Sequence, residues 1–162
     1  MASLAGGMPC SLLRLGFLAA VLLCAGCRTP RESDLFTTNG PGWQVQQGQA
    51  LWRPRRGMPE LGGDVVLATS PDGRCVVQFI KTPLVLVLAQ TSRRNWLIEF
   101  PPAHKGFMGR GSPWTRFAWL YLPPALAGGP LPSAFRFQRK PDGGWRLENT
   151  HSGESVEGFL GP

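Results

Sequence analysis

After Trp43 the chain runs as short stretches of alternating or continuous apolar residues, broken by clusters of Pro, Gly, Asp and Asn. Period-two alternation bounded by turn formers is the mark of strands joined by tight turns. Strands are expected over 46–53, 63–70, 75–81, 84–91 and 96–100, with a short edge strand over 107–111. The firmest hairpin signal lies at Pro71-Asp72-Gly73. There Pro presets φ, Asp accepts the next position and Gly takes the left-handed one. Pro141-Asp142-Gly143-Gly144 repeats that turn between Phe135/Phe137 and Trp145/Leu147, and a last strand is expected over 155–160.

One stretch has helical rather than strand periodicity. Trp114, Phe117, Leu120 and Tyr121 share a helical face behind Ser112-Pro113. Serine suits an N-cap and proline the first helical position. Pro123-Pro124 is expected to end or kink this helix, with one further short turn before Gly128-Gly129. The predicted fold class is therefore mainly β: about seven or eight antiparallel strands around one central helix. With a single helix to cover the apolar face, the expected form is a curved sheet, an incomplete barrel. A closed small barrel or a sandwich is the alternative.

The N-terminal segment follows a different pattern. Arg14 is the sole charge before an apolar run, Leu15 to Leu23, that ends in small residues and Cys27. A charged n-region, an apolar h-region and small residues form a secretory signal helix. The run is shorter than the ~20 apolar residues needed to span a bilayer. Leu23-Cys24-Ala25-Gly26-Cys27 resembles a bacterial lipobox, with Cys24 where leucine is usual. The resemblance implies cleavage before Cys27, lipid attachment to Cys27, and a membrane partner reached through that anchor. Ordinary secretion with nearby cleavage is the other reading. The domains expected are a signal peptide over 1–26, a lipidated Cys27 with a tether to residue 42, and one β-rich domain over 43–162. Arg28 stands where an aspartate would favour the inner membrane in enteric-type bacteria, so the expected location is the outer membrane, facing the periplasm.

Charge and cysteine usage narrow the function classes. The formal charge is +7, in scattered groups at strand ends: Arg53/Arg55/Arg56, Arg93/Arg94 and Arg139/Lys140. These read as a solvated rim, with anionic lipid head groups as a second role. Nucleic acid is not an expected partner of an exported protein. Once Cys10 and Cys24 leave with the signal and Cys27 carries lipid, Cys75 stands alone and reads as a small buried hydrophobe.

No catalytic motif is present, and the protein is expected not to be an enzyme. His104 and His151 have no metal-ligand spacing to another His or Cys, so neither a metal nor a cofactor is expected. His151 with Glu154 and Glu157 reads as a solvated turn rather than an imidazole–carboxylate cluster. Gly109-Arg110-Gly111-Ser112 lacks the spacing of a phosphate loop. Leu84-Val85-Leu86-Val87-Leu88 is apolar on both strand faces and needs cover on both, or lines a cavity on one. Val77, Phe79, Leu86, Trp96, Ile98, Phe135 and Phe137 are accordingly core residues on one reading and ligand-lining residues on the other.

A lipobox-like start, a β-meander rich in Trp and Phe, and one Pro-bounded central helix together resemble the LolA/LolB-like group of lipoprotein carriers and receptors. The likeness covers roughly residues 43–160, with Gly48-Gln49-Ala50-Leu51-Trp52 through Phe100 nearest to the opening strands. It implies an apolar interior that takes lipid or a lipoprotein's acyl chain, and a part in outer-membrane lipoprotein localisation. The protruding loop of that group has two candidates here, Leu122 to Leu126 and Leu84 to Leu88. The alternative function is a non-catalytic structural or protein-interaction lipoprotein with a solid core.

Overall fold

A computed structural model describes residues 42–161. The expected signal helix and the expected lipid-attachment site, Cys27, lie outside the described residues. Nine strands form: β1 (Gln44–Arg53), β2 (Leu61–Thr69), β3 (Cys75–Lys81), β4 (Leu84–Thr91), β5 (Asn95–Phe100), β6 (Lys105–Arg110), β7 (Phe135–Arg139), β8 (Trp145–Asn149) and β9 (Ser155–Gly161). All pair antiparallel in one sheet of order β6-β5-β4-β3-β2-β1-β9-β8-β7. The sheet is open and uncurled, mainly β with one short helix. Its two edges, β6 and β7, are not paired with each other, so neither a closed barrel nor a sandwich forms. Lys105 and Arg110 on β6, and Arg136 and Arg139 on β7, put charge on those edges, where it opposes strand addition.

Both Pro-Asp-Gly turns are built as their residues dictate. The Gly73 amide donates to the Ser70 carbonyl at 2.9 Å, and the Arg74 amide to Asp72 Oδ1 at 3.1 Å. Gly143 and Gly144 repeat this against Lys140 and Asp142. Gly73 and Gly143 take φ of 86° and 83°, which only glycine adopts cheaply.

The central helix is not where periodicity predicts it. Residues 111–117 are irregular, a 3-10 turn follows at Ala118–Leu120, and the only α-helix among the described residues is α1, Leu122–Leu126. Ser112 caps nothing: Tyr121 is the N-cap residue of α1, and prolines occupy its first turn. Pro123-Pro124 thus opens a helix instead of closing one, because first-turn N–H groups have no intrahelical acceptor to lose. Upstream, Phe117 is extended, at φ −118° and ψ 104°. Its ring lies 5.9 Å from Phe100 and 5.2 Å from Phe107. Aromatic packing on the sheet satisfies the apolar spacing there without helical backbone.

The 111–134 crossover supplies the cover that wrapping the sheet would otherwise give. One sheet face carries Trp52, Val65, Phe79, Val87, Ile98, Leu147 and Val156, all buried, and the crossover lays Phe117, Trp119, Leu120 and Leu122 on it. Trp119 sits 5.0 Å from the Phe79 ring and 5.9 Å from the Trp52 ring. Each large apolar side chain so buried contributes about 1.5–3 kcal/mol. Of the two loop candidates, the first is α1, with Leu122 and Ala125 buried against the core. The second is strand β4, exposed at Leu84.

Candidate functional site

The seven residues expected to be core or ligand-lining all lie in or against the packed layer under the crossover. Val77, Phe79, Trp96, Ile98 and Phe135 are buried, and Leu86 and Phe137 are partly buried against the same cluster. Phe79 packs on Trp119, and Phe135 packs on Tyr121 at 4.6 Å. Of the seven, Trp96 alone borders the grooves described here.

The groove at Trp96 is the seam between the crossover and one end of the sheet, with a volume of about 480 Å³. Leu120, Tyr121, Pro123 and Pro124 form one wall; Thr69, Cys75, Thr91 and Asn95, at the ends of β2 to β5, form the other. The wall across from the sheet is apolar, while hydroxyl and amide groups line the rim. Cys75 is partly buried here, and burial raises its thiol pKa above the usual range. Only the thiolate attacks an alkylating agent. Alkylation at Cys75 by iodoacetamide, followed by peptide mass spectrometry, is therefore expected to be slow near neutral pH and still rising above pH ~9. A rate already at its plateau near neutral pH would mean that the thiol is exposed and activated.

A second groove, of about 670 Å³, lies on the opposite face, across β2, β1 and β9, where β1 runs between the other two. Its apolar part is Leu51, Ile80 and Phe159; its charged part is Asp64, Lys81, Lys140, Asp142 and Glu157. Phe159 is 52 % exposed and Leu51 42 %. Glu157 accepts from Arg146 at 3.0 Å and faces Lys140 at 3.5 Å. Apolar centre and charged rim together resemble the anatomy of a protein-contact patch.

The residue that sequence reading misplaced is Glu154. It does not sit in a solvated turn with His151 and Glu157; its side chain turns inward and is buried. Trp52 Nε1 donates to its Oε1 at 3.1 Å, and the Ala118 amide to its Oε2 at 2.8 Å. It thereby joins β1, the β8–β9 turn and the crossover. Burial pushes its pKa up to about 7, opposed by the two N–H donors and by Arg116. Trp52 gains the most from this contact among the buried indoles: the Nε1–H groups of Trp96, Trp119 and Trp145 have no acceptor among the described residues. The sequence signal that could have located Glu154 is slight, a carboxylate in Ser152-Gly153-Glu154-Ser155 directly before an apolar strand.

Neighbouring bonds hold the same corner. Asn149 Nδ2 donates to the Thr115 carbonyl at 2.5 Å, and the Thr150 amide to the Ala134 carbonyl at 2.8 Å. Among the described residues no three His, Cys, Asp or Glu side chains gather as a metal site. Comparison with family models, with curated proteins and with solved structures returns no match.

Proposed function

We propose that this chain is a membrane-anchored, non-catalytic lipoprotein that acts through its surface, as a protein-interaction module with a solid core. The observation that supports it is the filled inner face. Phe79, Val87, Ile98, Trp119, Leu122 and Leu147 are each 0 % exposed, so the space that a lipid would occupy under the crossover is taken by the chain's own side chains. The Phe159 groove is then the contact surface. Attachment is through Cys27, at the outer membrane and facing the periplasm.

A second reading has its own support. The ~480 Å³ seam groove beside Trp96 has an apolar wall of Leu120, Tyr121 and two prolines. It would admit an acyl chain at the margin of the core, as a lipid- or lipoprotein-binding protein of the LolA/LolB kind requires.

One experiment separates the two. A photo-crosslinking amino acid is placed at Phe159 or at Ala127, on the crossover wall of the seam groove, in full-length protein in its native envelope. The interaction reading expects a discrete protein adduct from position 159, abolished by Leu51→Glu, and no lipid adduct from position 127. Lipid adducts at position 127 with none at 159 would replace it by the lipid-binding reading. Palmitate incorporation that disappears with Cys27→Ala tests the anchor.

A further inference from the structure

The described chain begins at one end of the sheet, and that end is a continuous surface. Gly42 lies against Pro71 of the β2–β3 turn, where a Cβ on Gly42 would meet the proline ring at 3.7 Å. The same turn touches the next one, since a Cβ on Gly73 would lie 3.7 Å from Arg93. The Gly111 amide donates to the Arg94 carbonyl at 2.8 Å, bringing the start of the crossover alongside. Asn95 pairs with Arg110 across β5 and β6.

This end combines two features. It carries Arg74, Arg93, Arg94, Arg110 and Arg116 against a single carboxylate, Asp72, over residues 42–44, 69–75, 91–96 and 109–116. Asp72 is bound by Arg74 at 2.7 Å, and the Arg74 guanidinium lies over the Trp43 ring. Arg93, Arg94, Arg110 and Arg116 are exposed. Trp114 is 50 % exposed here, with the Arg116 guanidinium 5.7 Å above its ring and 4.8 Å above that of Phe107. Indole and guanidinium side chains are the ones that settle at the bilayer interface, with the ring among the upper acyl chains and the charge among phosphates.

The opposite end is also basic, through Arg53, Arg55, Arg56, Lys81 and Lys105. Arg53 is paired there with Glu60, and no tryptophan lies in the 53–61, 81–84 or 100–105 segments at that end. Charge alone does not choose between the ends. The exposed indole does.

From this we infer that the end formed by the β2–β3 turn, the β4–β5 turn and the start of the crossover, centred on Trp114, Arg93 and Arg94, is a docking face for anionic phospholipid. The domain then lies against the bilayer on that end, and the Phe159 groove stands to the side, clear of the membrane. The orientation rests on the anchored reading of Cys27; the lipid affinity of the face does not.

The test uses full-length protein with the lipid the cell attaches, reconstituted in vesicles of phosphatidylcholine brominated in its acyl chains, with or without phosphatidylglycerol. Tryptophan fluorescence reports bromine contact, and flotation reports attachment. Quenching is expected in the anionic vesicles and is expected to be small in the neutral ones. Each basic group near such a surface strengthens binding several-fold, so Arg93→Glu with Arg94→Glu should weaken apposition by about tenfold or more. Trp114→Phe should remove a large part of the quenching, with Trp43 on the same face reporting the remainder, while Arg55→Glu with Arg56→Glu should leave it unchanged. Circular dichroism checks that each variant is folded; the arginine pairs are exposed and carry the test even where Trp114→Phe disturbs packing. Equal quenching in neutral vesicles, an equal loss in the Arg55/Arg56 pair, or flotation without quenching would overturn the docking face. Failure of every form to float would overturn the anchor and the face together.

Discussion

Gly158→Ala is expected to destabilise the protein by roughly 3 kcal/mol or more, a large part of a typical domain's stability. The β1–β9 ladder is the single seam joining β1 to β6 with β7 to β9. Gly158 pairs with Ala50 in that seam. A Cβ there would overlap the Gln49 carbonyl oxygen and lie 2.9 Å from Ala50 Cα. Both are backbone atoms of the partner strand, so relief requires the seam itself to part. Gly62 is the control. It sits on the neighbouring strand, where a Cβ would meet only the Leu51 side chain, at an ordinary 3.5 Å. Glycine inside a strand costs about 0.5–1 kcal/mol relative to alanine, so Gly62→Ala should be neutral or slightly stabilising. Urea unfolding midpoints measure both; equal midpoints would show that the seam tolerates a methyl group.

Glu154→Ala is expected to cost about 3 kcal/mol, because it leaves Trp52 Nε1–H and the Ala118 amide without acceptors in the interior. The loss should free the crossover first, since Ala118 begins its 3-10 turn. Glu154 also predicts a pH dependence. Its folded pKa of about 7 lies above the ordinary value of 4.5, with burial as the leading cause. Between those values the unfolded chain gives up the proton and the folded one keeps it. Stability is therefore complete below about pH 4.5 and is lost as pH rises through about 7, then level, a fall of roughly 3 kcal/mol from this group. Glu154→Gln cannot ionise and should remove that slope. It is expected to be less stable than wild type at low pH, since its NH₂ group must face one of the two N–H donors. Urea unfolding across pH 4–8 reads both effects, and an unchanged slope in Glu154→Gln would assign the dependence to another group.

How much could be read from the sequence differs between turn, strand and crossover. The β3, β4 and β8 boundaries at Cys75–Lys81, Leu84–Thr91 and Trp145–Asn149 follow from local alternation and the turn residues beside them. Pro71-Asp72-Gly73 and Pro141-Asp142-Gly143 need no tertiary contact to prefer their conformations. The crossover is different. Trp114 to Tyr121 has helical spacing, but rings on β5 and β6 hold Phe117 extended, and apolar period alone cannot tell a helix from a chain draped over aromatic side chains. Glu154 was illegible for a related reason. A carboxylate beside Gly153 looks solvated until Trp52, 102 residues away in the chain, is brought to it.

The sequence by itself determined the strands, the turns and the apolar face, because each depends on neighbours within a few residues. It also marked Val77, Phe79, Ile98 and Phe135 as apolar side chains of one face, without deciding whether they would pack as core or line a cavity. Only the tertiary structure decided that β9 pairs with β1, that the 111–134 crossover fills the face, and that Glu154 is interior. The physical reason is that these depend on which distant surfaces come together. Burial and backbone approach are properties of that assembly, and no local pattern encodes them.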